Sequence, residues 1–348
     1  MSEPTNGVTA TLHPAVALDR IVYLLDRALA ESTKVRAFVR ARDVVLDRGD
    51  DEIARLHAAG KLTDLPGVGP TTAKVIAEAL DGGVPGYLAH LEAETVIPVG
   101  EGAGLRAALR GDCHTHSTWS DGGAPIEAMA LTAMALGHEY MVLTDHSPRL
   151  TVAHGLTDER LLAQLDEVAA LNERLAPFRI LTGIEVDILE DGALDQREDL
   201  LAGLDVVVAS VHSKLRMEPR EMTRRMVHAV ASPHVDILGH CTGRKLVGRG
   251  RPPSQFDAEV VFAACAQFDT ALEINCRPER QDPPEDLLEM AIDWGLRFAI
   301  DTDAHAPGQM EWQTYGCDKA ARAGIEPERI VNTLPADDLV AWAAGHAA

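Results

Sequence analysis

His114 and His116 stand two residues apart, Asp303 and His305 repeat that spacing near the other end of the chain, and His146, Glu185, His212 and His240 fall between them. Imidazole nitrogens and carboxylate oxygens are ligands for divalent metals. Side chains two apart on a strand share a face, so each pair aims the same way. Six imidazoles with Glu185, Asp303 and Asp121 make a ligand set too large for one ion, which implies a cluster of two or three divalent ions. Manganese, zinc and iron suit this donor set equally. Such ions on a phosphate lower the pKa of a bridging water, so that hydroxide attacks at neutral pH, and they neutralise charge on the phosphoryl oxygens. Phosphoester hydrolysis is the natural reaction.

What could bring these residues together is visible in the apolar runs that carry them: LRGDCHTH, YMVLTDH, FRILTGIEVDIL, DVVVASVH, VDILGHC, TALEIN and RFAIDTDAH. From His114 to Asp303 the steps average about 31 residues, one strand plus one crossover helix. Six such steps joining seven runs predict a parallel β/α barrel with seven strands, whose strand C-termini form one mouth. Core packing gives no reason to place histidine repeatedly at one rim. The remaining histidines, 13, 57, 90, 138, 154, 228, 234 and 346, are expected on surfaces or loops, with His154 alone near enough to meet substrate. Cys113 and Cys241 flank His114 and His240, but they read as small packing residues and not as thiolate ligands.

Two loops beyond the strands are basic. Arg244, Lys245, Arg249 and Arg251 follow the fifth, and Lys214, Arg216, Arg220, Arg224 and Arg225 follow the fourth. Lys214 and Arg244 sit nearest the ligands in sequence and are expected to bind phosphate and take part in catalysis with Glu185.

Residues 15–95 read as helical throughout, with Ile21, Leu24, Leu25, Ala28 and Leu29 at helix spacing. Leu65-Pro66-Gly67-Val68-Gly69-Pro70 breaks that pattern, so two helices are joined by a tight glycine hairpin. Glycines allow close approach, and the following helix N-terminus favours an anion, which makes Gly67, Val68 and Gly69 candidate anion contacts. The small-residue stretch 96–109 is expected as a linker, and 110–345 as the barrel.

The composition narrows the field. Of 348 residues, 46% are hydrophobic and 25% charged, which excludes a mainly disordered chain. A net charge of -22 disfavours nonspecific adhesion to nucleic acid or anionic lipid, so any polyanion must find a local basic patch. Five cysteines without a CxxC pair fit a reducing compartment. No secretory leader and no membrane span are expected, which points to the cytoplasm.

The strings GDCHTHSTWSDG, LTDHS, GIEVDIL, VVASVHS, VDILGHCTGR, ALEIN and TDAH resemble the polymerase and histidinol phosphatase (PHP) domain, a distorted seven-stranded barrel of metal-dependent phosphoesterases. They are most similar to the version at the C-terminus of bacterial family X DNA polymerases. The resemblance implies a trinuclear site on His114, His116, Asp121, His146, Glu185, His212, His240, Asp303 and His305. It also implies that Glu185 bridges an ion on His114, His116 and Asp303 to one on His212 and His240, with the third on Asp121, His146 and His305. The helical segment is similar to the small helix-hairpin-helix domain of the same polymerases, whose hairpin presents backbone amides to a DNA phosphate, so the resemblance implies DNA contacts at Gly67, Val68 and Gly69. Their nucleotidyl-transfer domain has no counterpart between the two regions, so no polymerase activity is expected. Val75 stands where relatives with lyase activity carry a Schiff-base lysine, with Lys74 one position off. Cys276 and Arg277 stand where the family suggests a small residue and asparagine.

The expected activity is therefore metal-dependent hydrolysis of phosphate esters through a metal-bridging hydroxide, as a 3′-to-5′ exonuclease or related processor of DNA ends. The competing reading is a small-molecule phosphomonoesterase of the histidinol-phosphate phosphatase type. No obligate protein partner is inferred.

Overall fold

A computed structural model describes residues 12–347. It divides into two compact units, Met1–Ile97 and Pro98–Ala348. Among the described residues no helix is long and apolar enough to cross a membrane.

Among the described residues the first unit is all-α. Helices α1 (Pro14–Arg27), α2 (Ser32–Arg48), α3 (Asp50–Ala58), α4 (Pro70–Leu80) and α5 (Gly86–Glu94) surround a core that includes Leu18, Ile21, Leu24, Leu25, Ile53 and Ile76. The periodic residues of α1 bury as their spacing predicts, except that the helix ends at Arg27. Leu29 lies beyond it in a left-handed turn at φ 52° and is exposed. Pro70 opens α4 at a position where its missing N–H costs nothing.

The second unit is a seven-stranded parallel sheet in sequential order, β1 (Gly111–Thr115), β2 (Tyr140–Leu143), β3 (Arg179–Asp187), β4 (Val206–Ser210), β5 (Ile237–Leu238), β6 (Ala271–Asn275) and β7 (Phe298–Asp301). All seven expected strands are present. The first and last approach each other, with a bridge between Thr115 and Ala304 and a 2.8 Å bond from the His116 N–H to the Ala304 carbonyl, so the barrel is nearly closed. Both faces are covered, which is why strands such as VVVAS in β4 are buried at every position instead of alternating.

Residues 96–100 are irregular and mostly exposed, but the second half of the expected linker, 96–109, is structured. Ala103–Ala108 form a short helix, α6, in the second unit, with Leu105 and Leu109 buried. The Gly102 N–H donates to Asp318 at 2.7 Å. Glycines at 100 and 102 permit close packing rather than flexibility: a side chain on Gly102 would run into the Cys317 backbone, and one on Gly100 into the Asp318 carboxylate.

Candidate metal centre

Six of the seven strand ends deliver the ligand types to one place. His114 lies on β1 and His116 just beyond it, Glu185 on β3, and His146, His212, His240, Asp303 and His305 on the turns that leave β2, β4, β5 and β7. At β7 the chain turns through left-handed backbone at Asp303, φ 53°, which aspartate tolerates better than most residues. Around Glu185 the contacts are dense: Oε2 lies 3.4 Å from His114 Nε2, 3.7 Å from His116 Nε2 and 2.8 Å from His146 Nδ1, and Oε1 lies 2.9 Å from His240 Nε2 and 3.1 Å from His212 Nε2. His116 Nε2 is 3.5 Å from Asp303 Oδ1. On the open side, Asp121 Oδ1 is 3.5 Å from His146 Nε2 and 3.3 Å from His305 Nε2. All nine residues anticipated as ligands are thus drawn into one continuous cluster.

The chain fits divalent ions on two counts. Several contacts are near 3.4 Å, too long for good hydrogen bonds but close to the spacing of two donors sharing one tetrahedral ion, about 3.4 Å for bonds of roughly 2.1 Å. Buried polar atoms without a hydrogen-bond partner among the described residues also concentrate here: His114 Nε2, both nitrogens of His116 and of His212, His146 Nδ1, His240 Nδ1 and Glu185 Oε2. Buried polar atoms ordinarily find partners, so a cluster of orphans marks a place for something that accepts lone pairs. Three tight groupings satisfy this: His116, Asp121, His146 and His305; His114, His116 and Glu185; and His146, Glu185 and His212. In the third, His146 stands with His212 where His240 was anticipated.

The side chains polarise one another strongly. Burial alone would raise the Glu185 carboxyl, but the imidazoles of His212, His114 and His146 hold it well below its usual range. Burial and then the charges of His305 and His146 push His116 well below its usual value, favouring the neutral ring that can ligate.

A second layer of residues, outside the anticipated set, holds these ligands. Glu273 of β6 faces His114 Nδ1, and Asp187 Oδ1 accepts the His212 N–H at 3.1 Å. The Asp145 carboxylate takes the Ser117 N–H at 2.8 Å, the Ser117 hydroxyl at 2.6 Å and the Gln164 amide at 2.7 Å, fixing the loop that carries Asp121. Glu273 and Asn275 alternate onto the inward face of ALEIN, a signal the sequence did contain.

The expected phosphate-binding cations are not those the structure brings to the cluster. Lys214 is exposed, in a left-handed turn, and among the described residues its ammonium makes no ion pair. Arg244 donates instead to the carbonyls of Arg280, at 2.9 Å, and Gln281, so it braces the loop after β6. Arg225 is buried on the helix Pro219–Val230 and ties Ile188 to Ser213. The cations that reach the ligands come from that β6 loop: Arg280 Nε is 3.3 Å from Asp303 Oδ2 and Arg277 Nη1 is 3.6 Å from Asp303 Oδ1. Proximity in sequence pointed to the loops after β4 and β5, whereas the arginines in contact with Asp303 follow β6.

Other expectations shift for similar reasons. His138 lies in a loop as expected but is buried, and His346 is half-buried with Nδ1 2.7 Å from Asp236. His154 is exposed in a left-handed turn. All five cysteines are buried and free. In the helical hairpin Gly67 adopts φ 96°, as a tight turn needs, but the side chain of Val68 is only 5% exposed. The N–H of Val68 bonds the Leu65 carbonyl at 3.0 Å, and that of Gly69 bonds the Thr72 hydroxyl at 3.0 Å. Those two amides are already used, so neither is free to meet a phosphate.

A nearly closed parallel barrel with a histidine and carboxylate cluster at the strand C-termini is an arrangement suited to metal-assisted hydrolysis. Residues 112–277 match the PHP domain. The DNA polymerase/3'-5' exonuclease PolX of Bacillus subtilis (strain 168) is 40% identical over 234 residues, 67% of this chain and 41% of that protein. The chain therefore matches less than half the length of that relative. A probable phosphatase of Thermoanaerobacter sp. (strain X514) is 30% identical over 236 residues, covering 64% of this chain and 89% of that one. Histidinol phosphate phosphatase from Lactococcus lactis subsp. lactis Il1403, solved with zinc, L-histidinol and phosphate, superposes with a TM-score of 0.46 at 20% identity, over 62% of this chain and 94% of that one. The chain belongs to the PHP domain family and is a phosphoesterase hydrolase.

Proposed function

We propose that the protein hydrolyses phosphodiesters at DNA ends as a 3′-to-5′ exonuclease, using two or three divalent ions, with residues 110–345 as the catalytic domain and the helical segment 15–95 as its DNA-targeting domain. The observation that carries this reading is the 40% identity over 234 residues to a protein named as a polymerase and 3'-5' exonuclease. In this reading His114, His116, Asp303 and Glu185 would hold one ion, Glu185, His212 and His240 a second, and Asp121, His146 and His305 the third. When bound, the ions would supply Lewis acidity that activates water and offsets phosphoryl charge.

The chain's own side chains do the rest. Glu273 holds the proton of His114 at Nδ1 and so leaves Nε2 toward Glu185. Asp187 orients His212, and Asp145 fixes the loop of Asp121. Ligands 114, 116, 185, 240 and 303 are sealed from solvent, whereas Asp121 is exposed and His212 and His305 are partly so, which puts substrate entry on their side. Arg280, held at Asp303, is the guanidinium placed to meet a phosphoryl oxygen.

A second reading, a small-molecule phosphomonoesterase, is favoured by the net charge of -22, which repels DNA, and by the 89% coverage of a relative named as a probable phosphatase. The two are separated by offering the metal-loaded protein single-stranded DNA, abasic duplex and histidinol phosphate side by side and comparing kcat/KM. Preference for a DNA end by tenfold or more is expected; preference for the monoester overturns the exonuclease reading.

A further inference from the structure

We propose that Arg277 makes the ion position on Asp121, His146 and His305 the labile one of the centre, by competing with the ion for His305. The inference rests on the metal reading above.

Its ground is a conflict between donors. Arg277 Nη1 lies 2.9 Å from His305 Nδ1 and bonds the Asp303 carbonyl at 2.6 Å, and that same carbonyl lies 2.9 Å from His305 Nδ1. A guanidinium can only donate. If Nδ1 accepts from Arg277, the neutral ring carries its proton on Nε2, facing Asp121 Oδ1 at 3.3 Å, and the lone pair an ion needs is absent. If Nδ1 instead donates to the Asp303 carbonyl, Nε2 is free to ligate, but its N–H then points at an Arg277 N–H. Ligating histidines ordinarily present the second nitrogen to a carbonyl or carboxylate, and here a cation shares that place.

Arg277 has little room to withdraw. Nε and Nη2 both reach Glu279 Oε1 at 3.0 Å, and the guanidinium lies 5.3 Å over the Trp312 ring. Its charge also opposes a divalent ion on the neighbouring ligands. The other two groupings, around His114 and His212, have no arginine against an imidazole nitrogen among the described residues. Ion occupancy on the Asp121 side should therefore be the weakest, and Arg277 the cause.

The test is equilibrium dialysis of the full chain against graded manganese, counting ions per chain by elemental analysis. Wild type, Arg277→Met and the double variant Arg277→Met/Glu279→Gln are compared; the last removes the carboxylate that would otherwise lose its partner. The weakest ion is expected to bind about tenfold or more tightly in either variant. As a measurement on wild type, nitrogen NMR of the His305 ring should show Nε2–H without metal and Nδ1–H once the last ion binds. Equal or weaker binding of that ion in both variants, or Nδ1–H already present without metal, overturns the inference. Three equally tight ions in wild type, lost in Glu185→Gln, would overturn it while leaving the metal reading intact. A wild type that binds no ion overturns both.

Discussion

Glu273 Oε1 lies 2.5 Å from His114 Nδ1, at the centre of a barrel where neither side chain meets solvent. The other carboxylate oxygen accepts the backbone N–H of His240, so one residue positions two ligands. Replacing Glu273 by glutamine keeps the shape but removes the charge that fixes the His114 proton. Metal affinity, measured by competition with a chelator, should fall about 10- to 100-fold while the fold persists. Unchanged affinity would mean that the contact is only packing.

The cations make a sharper contrast. Arg280 stands against Asp303, whereas Lys214 is exposed and unpaired among the described residues. A charge-assisted hydrogen bond is worth roughly 1.5–3 kcal/mol, so Arg280→Met should lower kcat/KM on a small chromogenic phosphoester about tenfold or more. Lys214→Ala should leave it within about twofold. The reverse ranking would return the phosphate site to the loop after β4.

These two cases show what could be read in advance. The ligands were legible because strand ends repeat at regular spacing and histidine has no packing reason to recur there. The cations were not, because a long arginine on any of several loops can reach the mouth, and which one does depends on loop conformation. Arg244 illustrates this: it adjoins a ligand strand in sequence, yet its donors are spent on the carbonyls of residues 280 and 281. Glycine and alanine around 100–108 misled in another way, since small residues serve close packing as readily as flexibility.

That last point can be measured. Leu105 is only 7% exposed on α6, against the helix Gln313–Arg322. Leu105→Ala should cost about 2–3 kcal/mol in urea unfolding, the usual loss for a buried leucine. A linker residue would cost less than about 0.5 kcal/mol.

Two activities of family X polymerases should be missing. Val75 is buried, and Lys74 is mostly exposed and 3.6 Å from Glu78 on the surface of α4. Borohydride should trap no adduct on an abasic end, and primer extension should yield no product with any nucleotide or metal. Either product would refute the reading of this region.

His138 precedes β2, at the opposite end of that strand from His146, so its protonation can be followed apart from the ligands. Burial, and then the charge of Arg106, push its imidazole down to about 3. Above pH 6.5 both folded and unfolded chains hold it neutral, and it does not tilt the folding equilibrium. As pH falls below 6.5 the unfolded chain binds a proton that the folded chain refuses, so stability drops by up to about 1.4 kcal/mol per pH unit. The drop continues until pH nears 3, where the folded state takes the proton too, and then levels off. Comparing wild type with His138→Gln by urea unfolding isolates this term from the titration of the metal ligands, which both proteins share. Between pH 7 and pH 4 wild type should lose about 3 kcal/mol relative to the variant. Parallel curves would mean that His138 is hydrated or protonated in the folded protein, and that burial at this end of the barrel does not keep it neutral.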